Sequence, residues 1–345
     1  MARRPTERQL FAELEQRYGP EIAKAFLAAI DDLRTNADLQ RVVAAIQAGN
    51  IEAAIEALNL DAAAFDRLLD SFQAAYVAAG EAAVTTMPTI RDVAGARVII
   101  RFGSRNLRAE GWLREESSTL VTRILREQRV AVRQALVAGM ENGVAPRTIG
   151  LDIVGRIDKA TGKRAGGVLG LSGPQEQYVR TARAELASSD PAELGHYLTR
   201  TRRDKRFDRS VTKAIREGTT VPAEIQRKAL SRYEARLLEL RGQIIGRKEA
   251  MTALQAGKHE AYLQAVDSGA IAESAVRRTW RSAGDLRVRH THVGLNGDTV
   301  GLRQPFVSPS GARLMFPGDP TAPADETIGC RCDVSYRIDF LSNLE

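Results

Sequence analysis

The 345-residue sequence predicts a mainly α-helical protein, with an elongated helical body and a small turn-rich α+β module at its C-terminus. Apolar residues recur at helical spacing through most of the chain before Ile271. After that position the periodicity stops, and glycine, proline and large aromatic residues become frequent. The longest apolar runs, such as Val98–Ile100, are far shorter than the roughly 18 residues of a membrane span. An integral membrane protein is therefore not expected.

Residues 1–80 are predicted to form an acidic helical N-terminal domain. They contain 8 basic and 12 acidic residues, which argues against a nucleic-acid-binding arm. Leu10 and Leu14 begin a series of apolar positions at helical spacing. Asp61 is suited to cap a helix that continues to about Ala79. The first residues lack the apolar segment of a secretory signal, so synthesis and assembly in a reducing cytoplasm are expected.

Residues 81–116 are predicted to form a connector, and residues 117–270 a helical body. In the connector, the β-branched run within Ala96–Phe102 is a candidate strand. The predicted helices of the body span about 117–140, 146–157, 175–186, 191–199 and 230–265. Residues 158–174 contain five glycines and are predicted to form a loop or hinge. A phosphate-binding loop is excluded there, because the Gly-x4-Gly-Lys-Ser/Thr spacing is absent.

The positive charge of the chain is concentrated in residues 199–250. The whole sequence has a formal net charge of +7, and this segment alone has 15 basic and 7 acidic residues. Clustered cations can neutralise phosphates and bind DNA without sequence preference. The alternative is a solvated helix face whose charges form ion pairs with one another. The candidate DNA-backbone-binding residues are Arg200, Arg202, Arg203, Lys205, Arg206 and Arg209.

Cys330 and Cys332 are the only thiols of the sequence, so no disulfide framework is available. Zinc prefers cysteine sulfur and histidine nitrogen as ligands. His292 and the two cysteines supply three candidate ligands, and His290 or Asp319 is the candidate fourth. Zinc is the only cofactor that this pattern indicates.

Three other interpretations of the same residues stay open. A nucleophilic cysteine would require His292 within hydrogen-bond reach, and a third group to orient that histidine. A metal-dependent nuclease would require carboxylates that converge on His292. Its candidate carboxylates are Asp285, Asp298 and Asp319. The third interpretation is a buried, hydrogen-bonded cluster that only stabilises a small module. The remaining helical histidines, His196 and His259, are predicted to lie on the surface.

The C-terminal module also contains an ordered series of short motifs. It begins with an Arg-Val-Arg element that leads to His292 and Asn-Gly, continues through a Pro-Gly-Asp-Pro turn, and ends in Cys-Arg-Cys. The motif positions outside the candidate ligands are Arg287, Arg289, Asn296, Gly297, Pro317, Gly318, Pro320 and Arg331. Farther upstream, the long predicted helix carries Arg241, Ile245, Arg247 and Glu249.

In order and spacing, these motifs resemble the phage Mu F-like minor head proteins, the head morphogenesis family of tailed bacteriophages. The resemblance covers roughly residues 117–343, with His292 as the family histidine. One departure is Gly329, which stands where the family commonly has asparagine before Cys-Arg-Cys.

The resemblance implies a structural minor capsid protein of the virion, without a catalytic cycle. Such a protein is expected in the head near the portal vertex, and in the host cytoplasm during assembly. The expected partners are the portal protein and a major capsid or scaffolding protein. The basic segment suits a protein that lies beside packaged double-stranded DNA. The alternative function is a phage-encoded metal-dependent nuclease or Cys–His hydrolase housed in the C-terminal module.

Overall fold

The computed structural model describes residues 5–91, 94–159 and 161–339, and these residues are mostly helical. The prediction of a mainly α-helical protein is therefore confirmed. The α-helices of the described residues are α1 (Glu7–Asn36), α2 (Leu39–Gln47), α3 (Ile51–Glu56), α4 (Asp66–Thr86), α5 (Leu107–Glu141), α6 (Pro146–Val154), α7 (Gly173–Ala187), α8 (Pro191–Thr199), α9 (Asp208–Glu217), α10 (Ala223–Asp267), α11 (His290–Gly294) and α12 (Ala324–Thr327).

The strands are short and pair only in antiparallel fashion among the described residues. They are β1 (Arg156–Ile157), β2 (Arg164–Ala165), β3 (Val276–Arg281), β4 (Thr299–Gly301), β5 (Phe306–Val307), β6 (Arg313–Leu314) and β7 (Asp333–Ile338). Strands β1 and β2 form a small hairpin, and the other five belong to the C-terminal region. There, β3 lies between β4 and β7, while β5 pairs with β6. The predicted α+β character of this region is thus confirmed.

The chain forms two compact units, each built from segments that are distant in sequence. Unit 1 comprises Met1–Ala25, Leu68–Ser118 and Gln243–Glu345, and unit 2 comprises Phe26–Arg67 and Thr119–Gly242. The units divide the chain after residues 25, 67, 118 and 242, and the domain boundaries at residues 80, 116 and 270 stay predictions. Residues 1–4 and 340–345 of the predicted terminal domains lie outside the described part of the chain.

In unit 2, short capped helices bury their apolar faces. The side chain of Asp38 accepts a hydrogen bond from the Arg41 amide at the start of α2. Asn50 caps α3 in the same way, which satisfies amides that have no partner within the helix. Val42 and Ile46 of α2 are buried at a spacing of four residues, as expected for one face of a helix. The helix predicted after Pro146 also forms, and it ends at Gly155, whose φ of 84° is favourable only for glycine.

Buried polar side chains hold the glycine-rich loop of unit 2 around residues 167–171. Arg34 and Arg241 donate hydrogen bonds to carbonyls of this loop. The side-chain oxygens of Glu234 and Gln128 each accept a loop amide at 2.6 Å. Since an irregular loop lacks the regular hydrogen bonds of a helix or sheet, these side chains satisfy backbone groups that would otherwise have no partner. The prediction of a loop in this region is confirmed.

In unit 1, part of the long helix α10 packs closely against α4. A Cβ atom added at Gly257 would collide with the carbonyl of Tyr76, so glycine permits this close approach. Tyr76 stacks on Trp112 of α5 with ring centroids 5.1 Å apart. The sequence correctly predicted that the long helical pattern ends at about Asp267.

The C-terminal module of unit 1 is built on strand β3. Its residues alternate between buried and exposed, and Val276, Arg278 and Trp280 face inward. The Arg278 guanidinium is fully buried and donates hydrogen bonds to three backbone carbonyls. Trp280 packs with a cluster that includes Leu295, Phe306, Leu314, Cys330, Cys332 and Val334. A small apolar core therefore surrounds the cysteines.

The strand predicted within Ala96–Phe102 is not formed, and that prediction was wrong. Arg97 makes an isolated bridge with Arg91, and the Val98 amide donates to the Ile90 carbonyl, but these contacts do not extend into a strand. Ile99 is 73% exposed, so the apolar run does not line a sheet. A strand needs a hydrogen-bonded neighbour along its length, and the described part of the connector supplies none. Helix α5 instead starts at Leu107, ten residues before its predicted beginning.

His259 was predicted to be a surface residue, and this prediction was also wrong. The side chain is buried on α10, and Nδ1 lies 2.9 Å from the Tyr336 hydroxyl. Burial lowers the pKa of His259 well below its usual value, because a charged imidazole would lose its hydration. His196, by contrast, is exposed as predicted.

None of the described helices is both long and apolar enough to cross a membrane.

Candidate metal centre

Three predicted ligands come together in the C-terminal module. His292 lies on the short helix α11, and Cys330 and Cys332 lie on the segment that enters β7. The rings of Trp280 and His292 meet in a T-shaped contact, with centroids 5.0 Å apart. All three candidate ligands are buried, so a small apolar shell encloses their donor atoms.

The distances among the donor atoms suit a single metal ion. Nδ1 of His292 lies 3.4 Å from Sγ of Cys330 and 3.4 Å from Sγ of Cys332. The three donor atoms all lie within 4.8 Å of one another. A tetrahedral zinc with ordinary bond lengths would separate a nitrogen and a sulfur ligand by roughly 3.6 Å. The group could therefore hold a metal ion such as zinc with little movement of its side chains.

A buried carboxylate, Glu326, lies on the opposite side of the imidazole. Its Oε2 is 2.9 Å from Nε2 of His292, which is within ion-pair distance, although the N–H bond is not aligned for a hydrogen bond. Thr291 donates a hydrogen bond to Oε2 at 2.8 Å, and Ser310 and Ser308 donate to Oε1 at 2.6 and 3.2 Å. Burial tends to raise the pKa of Glu326, but these hydroxyls and the nearby imidazole outweigh it and lower the pKa. Glu326 is thus held as a carboxylate.

This carboxylate determines how His292 can act. A negative charge beside Nε2 favours the tautomer with its proton on Nε2. Nδ1 then carries a free electron pair that points toward the cysteines. A carboxylate that orients a metal-bound histidine through its other nitrogen is a common arrangement in metal sites. Glu326 therefore lies where it could orient His292 toward a metal, although it does not belong to the group of donor atoms itself.

The two thiols are not equivalent. A hydrogen bond from Cys330 lowers the pKa of Cys332, and the neighbouring His292 acts in the same direction. The same hydrogen bond and burial raise the pKa of Cys330. The pair thus favours one thiolate beside one thiol, and a metal that displaced the remaining proton would bind both sulfurs.

The other two predicted ligands do not belong to this group. His290 is exposed at the start of α11. Asp319 is buried, but its oxygens accept hydrogen bonds from the amide of Met315 and from the amide and hydroxyl of Thr321. Asp319 thus stabilises the Pro-Gly-Asp-Pro turn, in which Gly318 has a φ of 79°. Among the described histidine, cysteine and acidic residues, no fourth ligand joins the three.

The carboxylates predicted for a nuclease have other roles. Asp285 forms a two-oxygen ion pair with Arg331 at 2.5 and 2.6 Å, and this pairing lowers the pKa of Asp285 to about 2. Asp298 is exposed, and its carbonyl accepts the amide of Trp280. Neither belongs to the group that contains His292. None of the three predicted carboxylates therefore joins this histidine, and the one carboxylate beside it, Glu326, was not among them.

Several motif residues fix the backbone around the cluster. The guanidinium of Arg289 donates hydrogen bonds to the carbonyls of Asp325 and Ile328, on either side of Glu326. The side chain of Asn296 accepts the amide of Ser282 at 3.0 Å. The Asn-Gly pair leads from α11 into β4. The remaining motif arginine, Arg287, is exposed.

The six candidate DNA-binding cations divide into two groups. Arg200 binds Glu185, Arg203 binds Asp208, and Arg206 binds Asp204 through ion pairs of 2.6 to 2.9 Å. These three arginines support the local fold, and Arg200 and Arg203 are half-buried rather than solvated. The other three candidates are exposed and form no ion pair within the described residues. They are Arg202, Lys205 and Arg209.

Glu326 and its three hydroxyl donors escaped the sequence-based prediction. Glu326 is one of 43 acidic residues, and nothing in its local spacing distinguishes it. The one feature of the sequence that could have pointed to Glu326 is its proximity to a candidate ligand, since it lies four residues before Cys330. Only the folded chain brings it to the far side of the His292 ring.

Comparisons with known proteins give one partial match. The chain is 26% identical over 133 residues to the uncharacterized protein YqbB of Bacillus subtilis (strain 168). The aligned region covers 37% of this chain and 40% of YqbB. No protein-family model matches the sequence. No solved structure shows significant similarity to it either.

Proposed function

We propose that this protein is a structural minor head protein of a tailed bacteriophage, whose C-terminal module is stabilised by a zinc ion. The observation that carries the proposal is the buried group of His292, Cys330 and Cys332, formed by the two ends of the motif series that resembles the Mu F-like proteins. A metal bound there would join α11 to the segment that enters β7. Because the module is small, such a bond would supply stability that its limited core cannot.

In this proposal the protein lies in the head near the portal vertex and docks on the portal protein or on a capsid or scaffolding protein. It also contacts packaged double-stranded DNA through the basic residues of unit 2. These partners follow from the resemblance and from the charge distribution. Only the DNA contact has a further support, the three exposed cations Arg202, Lys205 and Arg209, which form no ion pair within the described residues.

Metal analysis of the purified protein tests the zinc site. We expect about one zinc per chain in the wild type, and loss of that zinc in the double variant Cys330→Ser/Cys332→Ser. His290→Ala is the matched control, because this neighbouring histidine is exposed and outside the group, and it should retain zinc. A wild-type protein that is purified with zinc present, yet contains none, would exclude the zinc site.

A binding assay with portal and major capsid proteins from the same phage genome tests the structural role. We expect the full chain to retain the portal protein on an affinity column at low and moderate salt. Failure to retain portal, capsid or scaffolding protein would contradict the head-protein proposal, even if zinc were present.

The competing function is a Cys–His hydrolase, and the geometry meets one of its requirements. Cys332, His292 and Glu326 stand in the order of nucleophile, base and orienting carboxylate. However, Cys332 is only 3% exposed, and the cavity beside it has a volume of 140 Å³, smaller than the roughly 300 Å³ of a typical ligand site. Rapid alkylation of Cys332 by iodoacetamide in the zinc-loaded protein would favour the hydrolase over the structural role.

A further inference from the structure

A wide groove opens in unit 2 beside the β1–β2 hairpin. Its volume is 650 Å³, and it is lined by the hairpin, by the turn that contains Arg206 and Phe207, and by the first part of α10. Six basic and two acidic residues line it. Two features that appeared unrelated in the sequence, the glycine-rich stretch and the basic segment, therefore contribute to one surface.

Internal ion pairs involve only half of these cations. Arg156 pairs with Asp152, Lys228 with Glu224, and Arg206 with Asp204. The other three are Lys159 of the hairpin and Arg227 and Arg232 of α10. All three are exposed, and none forms an ion pair within the described residues.

We infer that this groove binds the phosphate backbone of double-stranded DNA. The inference rests on the DNA contact proposed above, and adds Lys159, Arg227 and Arg232 to the cations that make it. Three solvated cations along a wide groove can each neutralise a different phosphate of a polyanion. A single phosphate would instead require buried donors that converge on one point.

The lining also distinguishes duplex from single-stranded nucleic acid. Proteins that bind single strands stack unpaired bases on exposed aromatic side chains. The only aromatic residue in the described lining is Phe207, which is half-buried. A duplex keeps its bases stacked inside and presents only its backbone to a cationic groove.

The test compares two triple variants that remove the same charge. The groove variant is Lys159→Ser/Arg227→Ser/Arg232→Ser. The control variant is Arg41→Ser/Arg126→Ser/Arg147→Ser, which alters exposed cations of unit 2 outside the groove. Binding of a fluorescein-labelled duplex of roughly 30 base pairs is followed by anisotropy over a series of salt concentrations. Circular dichroism checks that both variants keep the wild-type helix content.

The groove variant should bind the duplex at least about tenfold more weakly at low salt. The slope of the logarithm of its binding constant against the logarithm of the salt concentration should be shallower by about 2.7, because each of the three lost phosphate contacts contributes about 0.9. The control should retain most of the wild-type affinity and slope. Equal losses in both variants, wild-type binding by the groove variant, or a preference for single strands would each overturn the inference. If the wild type bound no DNA, the proposed DNA contact would fail as well, whereas zinc content and portal binding would still test the rest of the proposed function.

Discussion

The C-terminal module and unit 2 both use buried polar side chains to hold irregular backbone, but they do so differently. In unit 2, Arg34 and Glu234 form hydrogen bonds with carbonyls and an amide of the glycine-rich loop. In the module, the donor atoms of His292, Cys330 and Cys332 face one another instead. Side chains that bind backbone groups satisfy the hydrogen bonds of both partners without any ligand. Sulfur and nitrogen donors that converge on one point are instead stabilised by a bound metal. The stability of the module should therefore depend on zinc, and the stability of unit 2 should depend on protonation.

The largest expected effect is the loss of zinc from the module. If zinc is present at a thousand times its dissociation constant, its removal should lower the free energy of unfolding by about 4 kcal/mol. Urea denaturation with and without a chelator, followed by tryptophan fluorescence, measures this change. Cys330→Ser/Cys332→Ser should unfold identically under both conditions. Glu234→Gln, which alters only unit 2, should keep the full response to the chelator.

The next effect is a dependence of unit 2 stability on pH. Burial raises the pKa of Glu234 from 4.5 to about 7, although the amide of Gly167 and the nearby Arg183 oppose the shift. The folded chain therefore holds this proton more tightly than the unfolded chain does. The resulting stabilisation is fully present below pH 4.5 and is lost as the pH rises through 7.

The size of this pH effect should be up to about 3 kcal/mol, since one pKa unit corresponds to about 1.4 kcal/mol. Urea denaturation between pH 4.5 and 8 measures it. Glu234→Gln should flatten the profile, because an amide does not titrate. Asp152 and Arg34 also face this carboxyl and remain in the variant. If the free energy of unfolding of the variant changed with pH as steeply as that of the wild type, the pH dependence would belong to other groups.

A smaller effect should follow from removing the charge of Glu326. Glu326→Gln should weaken zinc binding by about 10- to 100-fold, since an amide orients His292 less strongly than a carboxylate does. Competition with a coloured chelator measures the affinity. Asp325→Asn is the matched control, because this adjacent carboxylate is exposed, and it should bind zinc as the wild type does. Equal affinity in both variants would show that Glu326 does not position the ligand.

The smallest effect concerns ordinary helix stability in unit 2. Gly195 lies inside α8, and a Cβ atom added there would meet nothing within 4 Å. Gly195→Ala should stabilise the protein by up to about 1 kcal/mol, because alanine loses less backbone entropy in a helix. Thermal unfolding measures the gain. Zinc content should not change, and a loss of zinc would show that the two regions are not independent.

Much of the secondary structure could be predicted from the sequence, because its causes are local. The apolar spacing along α10, and the Asp190-Pro191 start of α8, lie within a few residues of the helices they specify. The failed predictions have a different cause. The run at Ala96–Phe102 has strand-like residues but no neighbouring strand within the described part of the chain, and His259 is covered by a residue 77 positions away. Pairing and burial depend on distant parts of the chain, which local patterns do not report.

The same distinction applies to the candidate sites. The sequence by itself determined which residues could bind a metal or a phosphate, because that capacity belongs to thiol, imidazole and guanidinium groups. Only the tertiary structure decided that His292 meets cysteines 38 and 40 positions later, that Glu326 faces the other side of its ring, and that Lys159 shares a groove with Arg227. Contacts between residues so distant in sequence depend on where the chain reverses direction and on which helix and strand faces pack together. Both are properties of the whole fold rather than of the local spacing of residues.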